Sequence, residues 1–376
     1  MDSQPTLTLI AIKASQHTGF RAPLIQALSA KGIKLFALAT DFDDASRVVV
    51  RALGAEPIGI SLARTGMNPL IDVRDMLSLS RTLKRIKPDI VLSCFIKPVI
   101  FGTLAAWLAG VPKRFAMIEG LGYVYTDNGT APGLRLRSLR AMVSALYRFA
   151  LKRAHRVIFL NRDDLNDFSR WRIVDSSKAV VLGGIGVDLD EWPFTPPLTD
   201  PVRFLFIGRL LREKGIEQFV AAARRVKERY PAAECVVLGD VDSNPGGIQA
   251  QQMQAWVDEG LIIWPGHVAV TPWLACSSVF VLPSYREGVP RSTQEAMAIG
   301  RPVITTDVPG CRDTVDEGVN GFLVPVRDDK ALAEAMMRFI EHPELITSMG
   351  RESRRLAEKW FNVHEVNQRL MAILGL

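Results

Sequence analysis

The sequence predicts an α/β protein of two similar domains with a cleft between them, on three observations. Short apolar runs alternate with longer helical patterns, as is typical of a parallel sheet with helices on both faces. The alternation stops at a stretch rich in Asp and Pro, residues 188–201, and then restarts. The length of 376 residues fits two domains of ~100–200 residues each.

The first domain, residues 1–187, contains five runs that are predicted to be buried strands. They are Leu7–Ile12, Lys34–Ala39, Ile90–Cys94, Arg114–Ile118 and Val157–Leu160. Amphipathic or Ala-rich segments separate them and are predicted to be helices: Ala22–Ala30, Val73–Ile86 and Pro98–Ala109.

Residues 188–201 are predicted to be a linker, because Pro fixes φ and its preceding residue avoids the helical region. The second domain, 202–352, then repeats the alternation. Its predicted strands are Arg203–Ile207, Glu234–Leu238, Leu261–Trp264, Val279–Leu282 and Pro302–Thr305, and its helices are Glu217–Tyr230, Gln249–Glu259 and Ser292–Ile299. We expect the last segment, 353–376, to be a helix that crosses back to the first domain.

Composition argues against a disordered, a zinc-binding, a secreted or a membrane-spanning protein. Hydrophobic residues make up 48% and charged residues 23% of the chain, which excludes wholesale disorder. The four cysteines lie far apart without a CxxC pair, so we expect no zinc site and reduced, buried thiols in the core of a cytosolic protein. The N-terminus lacks a secretory pattern, and the uncharged stretch of about 98–112 is too short to span a bilayer.

The ligands of open α/β sheets bind at the carboxyl ends of the strands, so the loops that follow strands are informative. In the first such loop of the second domain, Gly208 follows a strand directly, and Arg209 and Lys214 precede a helix. Both cations could meet a diphosphate near the helix N-terminus. The alternative is a solvated loop with a surface salt bridge through Glu213.

A second loop carries two carboxylates, Glu287 before a Gly-Val-Pro turn and Glu295 about one turn into the next helix. Carboxylates accept paired hydroxyl hydrogen bonds, which suits a sugar or a ribose. Backbone N–H groups around Gly288–Val289 could hold phosphate or hydroxyl oxygens. The alternative for Glu295 is a capping box with Ser292, which leaves Glu287 and the turn unexplained.

Together these loops resemble the family 4 retaining glycosyltransferases, whose GT-B fold has two Rossmann-like domains and an inter-domain cleft. The resemblance is close in the C-terminal half and loose in the N-terminal half. The matching stretches are Gly208-Arg-Leu, Glu213-Lys-Gly215, Glu287 with seven residues to Glu295, Gly300-Arg-Pro-Val303, Asn320-Gly-Phe-Leu-Val-Pro325 and Gly183-Gly-Ile-Gly-Val-Asp188.

The resemblance implies transfer of a hexosyl or N-acetylhexosaminyl group from a nucleotide-diphosphate sugar, which we expect to be UDP-linked. Arg209 and Lys214 would grip the diphosphate, Glu295 the ribose hydroxyls and Glu287 the donor sugar. The backbone at His267–Val268 would border the base. Gly208, Gly288, Val289 and Pro290 would complete the donor site.

We expect neither a metal nor a cofactor at this site. Two fixed cations can stabilise the charge that develops on the leaving diphosphate. The resemblance implies retention of configuration, with a phosphate oxygen taking the acceptor proton.

Two loops of the first domain could complete the site. The loop after the first strand contains His17 and Gly19, and the loop after Arg114–Ile118 begins with Glu119. Gly19 could approach the donor phosphates, and His17 or Glu119 could act as a base. The alternatives are a structural or solvated histidine and a carboxylate that bonds the glycine-rich turn.

Residues Leu134–Arg156 contain seven basic residues and no acid, and their apolar residues recur at helical spacing. We predict a basic amphipathic helix that attaches the protein peripherally to the cytoplasmic leaflet. The neighbouring Phe95, Ile100, Phe101 and Trp107 could help to accept a lipid, which suggests a polyprenyl-diphosphate-linked glycan acceptor in bacterial surface polysaccharide or glycoprotein glycan assembly. The alternative is a helix that faces the core and has a solvated basic back.

Other functions remain open on the sequence. A sugar-nucleotide epimerase of the same fold would need no acceptor site, and a membrane-attached sugar-nucleotide binder would need no catalysis. Nucleic-acid binding is disfavoured, because the net charge of +6 comes without aromatic–basic interleaving.

Overall fold

The computed structural model describes residues 4–62, 68–127, 129, 133–242, 244 and 246–376. These residues form two compact units. The first comprises Met1–Tyr125, Ala131–Ile185 and His364–Leu376, and the second comprises Thr126–Thr130 and Gly186–Val363.

The first unit is built on a parallel sheet of seven strands in the order β3-β2-β1-β4-β5-β6-β7. The strands are β1 Thr6–Ile10, β2 Lys34–Ala39, β3 Ala55–Gly59, β4 Ile90–Cys94, β5 Lys113–Ile118, β6 Arg156–Phe159 and β7 Ala179–Val181. The central strand β4 is buried along its whole length, as expected of a parallel strand with helices on both faces.

Seven helices alternate with the strands of this sheet in the part of the unit that the structure describes, and the C-terminal helix, from His364 onward, joins the same unit. The seven are α1 Ala14–Thr18, α2 Ala22–Ala30, α3 Asp44–Ala52, α4 Pro69–Ile86, α5 Thr103–Leu108, α6 Leu134–Leu151 and α7 Arg162–Arg170. A π-helical segment, Pro98–Gly102, runs directly into α5. Polar side chains cap the starts of α3, α4 and α7, through Asp43, Asn68 and Asn161.

The second unit repeats this design with six parallel strands in the order β10-β9-β8-β11-β12-β13. The strands are β8 Arg203–Ile207, β9 Glu234–Leu238, β10 Ile263–Gly266, β11 Val279–Leu282, β12 Val303–Thr306 and β13 Gly321–Val324. The helices described are α8 Ile216–Arg229, α9 Ala250–Asp258, α10 Val270–Ala275, α11 Arg291–Ala298, α12 Asp329–Glu341 and α13 Glu344–Trp360, followed by α14 Val363–Leu374.

The structure corrects the predicted ends of the basic helix and of the C-terminal helix. The basic helix stops at Leu151, because Arg156 already pairs with Phe115 as the first residue of β6. The C-terminal segment is not one helix: α13 ends at Trp360, and the backbone of Phe361 and Val363 then bonds to Val187 before α14 continues.

The predicted linker 188–201 groups with the second unit, where Thr195 N donates to Ile299 O and Leu198 N donates to Ser277 O. The four cysteines are free. Three are buried as predicted, whereas Cys276 is exposed. Among the described residues, no helix is both long enough and apolar enough to cross a membrane.

Candidate active site

The predicted donor residues gather at the carboxyl edge of the second sheet. Strands β8 and β11 are hydrogen-bonded neighbours, and the chain order of the strands reverses at this pair. Ligands of open α/β sheets bind outside the strand ends at such a reversal. The loops after β8 and β11 therefore meet where a ligand is expected.

Backbone contacts hold the two loops together. Tyr285 N donates to Glu213 O at 2.8 Å. Gly215 has φ +76°, and a Cβ there would lie 2.0 Å from Pro283 O. This position therefore requires glycine, because only glycine combines the left-handed conformation with so close an approach.

Lys214 and Glu287, 73 positions apart in the chain, form an ion pair. Lys214 Nζ lies 2.5 Å from Glu287 Oε1, and Ser284 Oγ donates to the same oxygen at 2.7 Å. Both side chains are largely buried, with 21% and 10% of their areas exposed. Glu287 N also donates to Pro309 O at 3.0 Å, in the loop after β12. The structure thus fixes one cation and one carboxylate side by side.

Arg209 follows β8 and Gly208, as predicted, but its acidic partner was not foreseen. Its Nη1 donates to Asp242 Oδ2 at 3.1 Å, and 55% of the Arg209 side chain is exposed. Asp242 comes from the loop after β9, so no pattern near Arg209 in the sequence could have indicated it. Among the described residues, Arg209 pairs with Asp242 and not with Glu213, the partner of the alternative interpretation.

Glu295 lies in α11, and the alternative interpretation, a capping box with Ser292, is wrong. The helix begins at Arg291 with Pro290 at the N-cap, so Ser292 is already inside it, and no side chain caps the N-terminus. Glu295 Oε1 instead accepts from Arg291 Nε at 2.7 Å. Burial raises the pKa of Glu295, and the neighbouring Arg291 opposes that shift.

The turn Gly288–Pro290 is held in place by α11. Gln294 Nε2 donates to Val289 O at 3.1 Å, and Gln294 Oε1 accepts from Gly186 N at 3.0 Å. Buried Gln294 therefore joins the turn to the glycine-rich stretch before the linker, a role that sequence analysis missed. His267 and Val268 follow β10 directly, at the same edge of the sheet and two strands from β8.

The remaining predicted residues belong to the first unit. His17 is 1% exposed, and its Nε2 lies 3.0 Å from Leu38 O. This placement favours the structural interpretation of His17. Gly19 caps the C-terminus of α1 and is exposed.

Glu119 follows β5 and forms an ion pair with Arg21 of the N-cap of α2. Only 8% of the Glu119 side chain and 6% of the Arg21 side chain are exposed. Arg21 Nη2 also contacts Met117 Sδ at 2.9 Å. The carboxylate thus has a cationic partner that the sequence analysis did not identify.

The burial of His17 predicts a pH effect on stability. Burial lowers the pKa of His17 from 6.5 to about 4, and the hydrogen bond with Leu38 only partly opposes the shift. Between these values the unfolded chain binds a proton that the folded chain does not. The free energy of unfolding should therefore fall as the pH falls through this range, by about 3 kcal/mol from this group.

The His17→Gln variant keeps an amide donor for Leu38 O but has no imidazole to protonate. The decrease in the free energy of unfolding that comes from His17 should therefore disappear in this variant. Urea unfolding of both proteins at several pH values between 7 and 4 measures it. His342→Gln, at a side chain that is 61% exposed, is the control and should follow the wild type. Parallel losses for wild type and His17→Gln would contradict the prediction.

Among the described residues, no group of three or more His, Cys, Asp or Glu side chains could hold a metal ion. The predicted charged groups at the strand ends are two cations, Arg209 and Lys214, and two carboxylates, Glu287 and Glu295, with Asp242 and Arg291 as partners of Arg209 and Glu295. Such a set can bind an anion and several hydroxyl groups.

Two family models match the chain. The model described as Glycosyltransferase Family 4 matches residues 23–191, and the model described as Glycosyl transferases group 1 matches residues 201–342. The second range includes all four charged residues of the site.

Curated relatives match over most of the chain. The N,N'-diacetylbacillosaminyl-diphospho-undecaprenol alpha-1,3-N-acetylgalactosaminyltransferase of Campylobacter jejuni is 27% identical over 350 residues, which cover 89% of each protein. The UDP-Gal:alpha-D-GlcNAc-diphosphoundecaprenol alpha-1,3-galactosyltransferase of Escherichia coli is 27% identical over 307 residues, covering 78% of this chain and 76% of the relative.

Solved structures confirm the predicted fold class. Sucrose-phosphate synthase from Thermosynechococcus elongatus superimposes with a TM-score of 0.80 at 19% identity and covers 98% of both chains. HepE from Anabaena, in complex with UDP and glucose, superimposes with a TM-score of 0.75 at 16% identity, covering 99% of this chain and 100% of HepE. The chain therefore belongs to the family 4, or group 1, glycosyltransferases, enzymes with two Rossmann-like domains of the GT-B type.

Proposed function

We propose that this enzyme transfers a hexosyl or N-acetylhexosaminyl group from a UDP-sugar to a hydroxyl of a polyprenyl-diphosphate-linked glycan, with retention of configuration. The product would serve bacterial surface polysaccharide or glycoprotein glycan assembly. The observation that carries the proposal is the Lys214–Glu287 ion pair, flanked by Arg209 and Glu295 at the strand reversal of the second sheet.

Each charged group has a task in this reaction. When the bond to the anomeric carbon breaks, negative charge develops on the leaving diphosphate, and Arg209 and Lys214 would stabilise it there. Glu287, held by Lys214 and Ser284, would accept hydrogen bonds from the donor sugar. Glu295, on the first turns of α11, would bind the ribose.

Gly208 supports placing the diphosphate beside β8. Its φ is not in the left-handed region, and a Cβ would meet only the Phe206 ring, at 3.6 Å. The fold itself therefore does not demand glycine there. Without a side chain, this position allows a ligand to approach the backbone closely. The base would lie further along the same edge, near His267 and Val268, about 10 Å away at the usual strand spacing.

The relatives favour the donor and acceptor classes. The name of the Escherichia coli relative specifies UDP-Gal and a diphosphoundecaprenol-linked acceptor, and the Campylobacter jejuni relative also acts on a diphospho-undecaprenol-linked sugar. We propose the same classes here, with the enzyme attached peripherally to the cytoplasmic face of the membrane. The basic helix α6, Leu134–Leu151, would provide contact with lipid.

We further propose that the reaction needs no metal and that a phosphate oxygen of the donor takes the acceptor proton. Glu119 and His17 would then not be needed as bases. The buried Arg21–Glu119 pair and the buried His17 are compatible with structural roles.

The test combines a panel of UDP-sugars with polyprenyl-diphosphate-linked acceptors, with and without EDTA. We expect one donor to raise the melting temperature by mass action and to yield a glycosylated lipid whose new linkage keeps the donor's anomeric configuration, equally well with EDTA. Isomerisation of the donor without any acceptor would instead support the epimerase. Donor binding without turnover, over a broad acceptor panel, would support the non-catalytic binder.

A further inference from the structure

The layer of helices beside β4 and β5 carries an unusual amount of exposed apolar surface. Of the sixteen exposed large hydrophobic side chains among the described residues, nine lie on three helices of this layer. They are Leu70, Ile71, Val73 and Leu77 of α4, Trp107 and Leu108 of α5, and Leu134, Met142 and Phe149 of α6. Concentrations of this kind mark interaction surfaces.

We propose that α4, α5 and α6 together form one surface that binds an anionic lipid bilayer, and that α4 contributes as much to it as the basic helix α6. The proposal extends the proposed function, since it names the lipid contact that brings the enzyme to its acceptor. We call these three helices the membrane face.

The three helices lie side by side on one side of the sheet. Helix α5 and the π-helical segment before it contact both α4 and α6. Met76 of α4 and Leu139 and Leu146 of α6 pack against the same buried cluster. The outward sides of α4 and α6 therefore belong to one layer.

The acidic and basic residues of α4 lie on different sides of the helix. Its two acids point inward and are buried: Asp72 pairs with Lys97 at 2.8 Å, and Asp75 accepts from Ser61 Oγ at 2.5 Å. Its four basic residues, Arg74, Arg81, Lys84 and Arg85, are all exposed. In the part of the chain that the structure describes, none of these four forms an ion pair. The exposed charged residues of α4 are thus all basic.

Apolar and basic residues also occupy different parts of α4 along its length. Leu70, Arg74, Leu77, Arg81 and Lys84 recur at steps of three and four and form one outward stripe. Apolar side chains dominate its first two turns, and Leu70 is 82% exposed. Basic side chains fill its last turns. Such a helix can insert its apolar residues at the headgroup level while its cations meet lipid phosphates.

Helix α6 has the same combination of exposed basic and apolar side chains and contains no acidic residue. Leu134 is 80% exposed and Phe149 51%, and Arg135, Arg137, Arg148 and Lys152 are exposed around them. At the end of the helix the Arg153 guanidinium lies 3.6 Å from the Phe149 ring centroid and 4.3 Å from that of Trp107. This contact ties α5 to α6 through aromatic rings of the kind that anchor proteins at lipid interfaces.

The structure also corrects one expectation for this region. Ile100 and Phe101, predicted to help accept a lipid, are 3% and 8% exposed and belong to the core. Trp107 is the exposed member of that predicted set, at 42%. The lipid-facing apolar residues therefore come from the outward sides of the helices rather than from the π-helical segment.

An anionic bilayer explains both features of the membrane face, its positive charge and its apolar side chains. A second copy of the chain would bring two like-charged surfaces together, which is unfavourable. A neutral partner would leave the basic residues without a role.

The test is sedimentation of the full-length protein with vesicles of phosphatidylcholine alone or mixed with phosphatidylglycerol. We expect the wild type to bind the anionic vesicles much more tightly, and salt to weaken this binding. The Arg81→Gln/Lys84→Gln/Arg85→Gln variant should bind about a hundredfold more weakly at low salt, at about fivefold for each charge. Leu70→Ser/Ile71→Ser should also reduce binding, by roughly tenfold.

The matched control removes three exposed cations from α8 in the second unit, as Arg224→Gln/Arg225→Gln/Arg229→Gln, and should bind like the wild type. Wild-type binding by the α4 variants would overturn the proposal, as would equal binding to both kinds of vesicle. A wild-type dimer that the Leu70→Ser/Ile71→Ser change dissociates would also overturn it. Vesicle binding involves no sugar chemistry, and turnover of a water-soluble acceptor by the α4 variants tests the proposed function separately.

Discussion

Replacing Lys214 with alanine should lower kcat by about two to three orders of magnitude, the usual effect of removing one preorganised donor from a site where charge develops. The Lys214 ammonium is held 2.5 Å from Glu287 Oε1, so it is oriented before the donor binds. If it meets the diphosphate as the bond to the sugar breaks, its contribution is made mostly in the transition state. Steady-state kinetics with the UDP-sugar identified by the donor screen measures the loss.

A neighbour in the same turn provides the control. Arg212 is two residues away, carries the same charge and has a side chain that is 63% exposed, so Arg212→Ala should keep nearly full activity. Lys214→Ala leaves the Glu287 carboxylate, 10% exposed, without its cation, and a loss of stability is therefore also expected. Thermal unfolding separates the two effects, because a variant that is folded at the assay temperature but inactive has lost a catalytic group. If more than a tenth of kcat remained, Lys214 would not stabilise the leaving group.

Much of the two sheets could be predicted from local patterns. Lys34–Ala39, Ile90–Cys94, Arg203–Ile207, Glu234–Leu238 and Val279–Leu282 have the predicted bounds, because a buried parallel strand is a continuous apolar run between turn residues. Strands β3, β7 and β13 were missed. The sequence of β3, AEPIG, is neither continuously apolar nor free of proline, so only its pairing with β2 defines it.

The sequence predicts residues for the candidate site but not their contacts. Gly208, Lys214 and Glu287 could be proposed because they lie in the loops that follow apolar strands, and strand ends are where ligands bind in such sheets. Their partners could not be, because pairs such as Arg209 with Asp242 depend on which strands lie side by side. The alternative interpretation of Glu295, as part of a capping box, is wrong for a different reason. The pattern Ser292 to Glu295 is real, but the helix starts earlier, at Arg291.

Arg301, in the matching stretch Gly300-Arg-Pro-Val303, is a buried charged side chain whose hydrogen-bond partners should contribute strongly to stability. Arg301 was not assigned a role from the sequence, yet it is fully buried, with 0% exposure. Its guanidinium donates to Leu274 O and Thr195 O at 2.8 Å each and to Thr195 Oγ1 at 2.6 Å. Further bonds reach Ala275 O and Gly300 O at 3.2 Å. One side chain therefore joins the end of α10 to the segment 188–201.

The Arg301→Ala variant should consequently be less stable by about 3–5 kcal/mol, since each buried carbonyl left without a donor costs about 1–3 kcal/mol. Burial lowers the pKa of Arg301 only to about 10, so the guanidinium is charged at neutral pH and its bonds are charge-assisted. Arg301→Lys should recover part of the loss, because an ammonium has three donors but lacks the planar fork that reaches carbonyls on both sides.

Urea unfolding of the full chain measures the difference, with Arg355→Ala as the control. The Arg355 side chain is 56% exposed and pairs with Glu352, so its removal should change stability by less than about 0.5 kcal/mol. The groups to which Arg301 donates belong to Leu274, Ala275, Thr195 and Gly300, and none of these is assigned to the donor site. Variant protein that remains folded should therefore bind the donor with unchanged affinity. Equal stability of Arg301→Ala and Arg355→Ala would show that the carbonyls at the end of α10 find water or other donors, and that this buried cation does not hold the segment 188–201 in place.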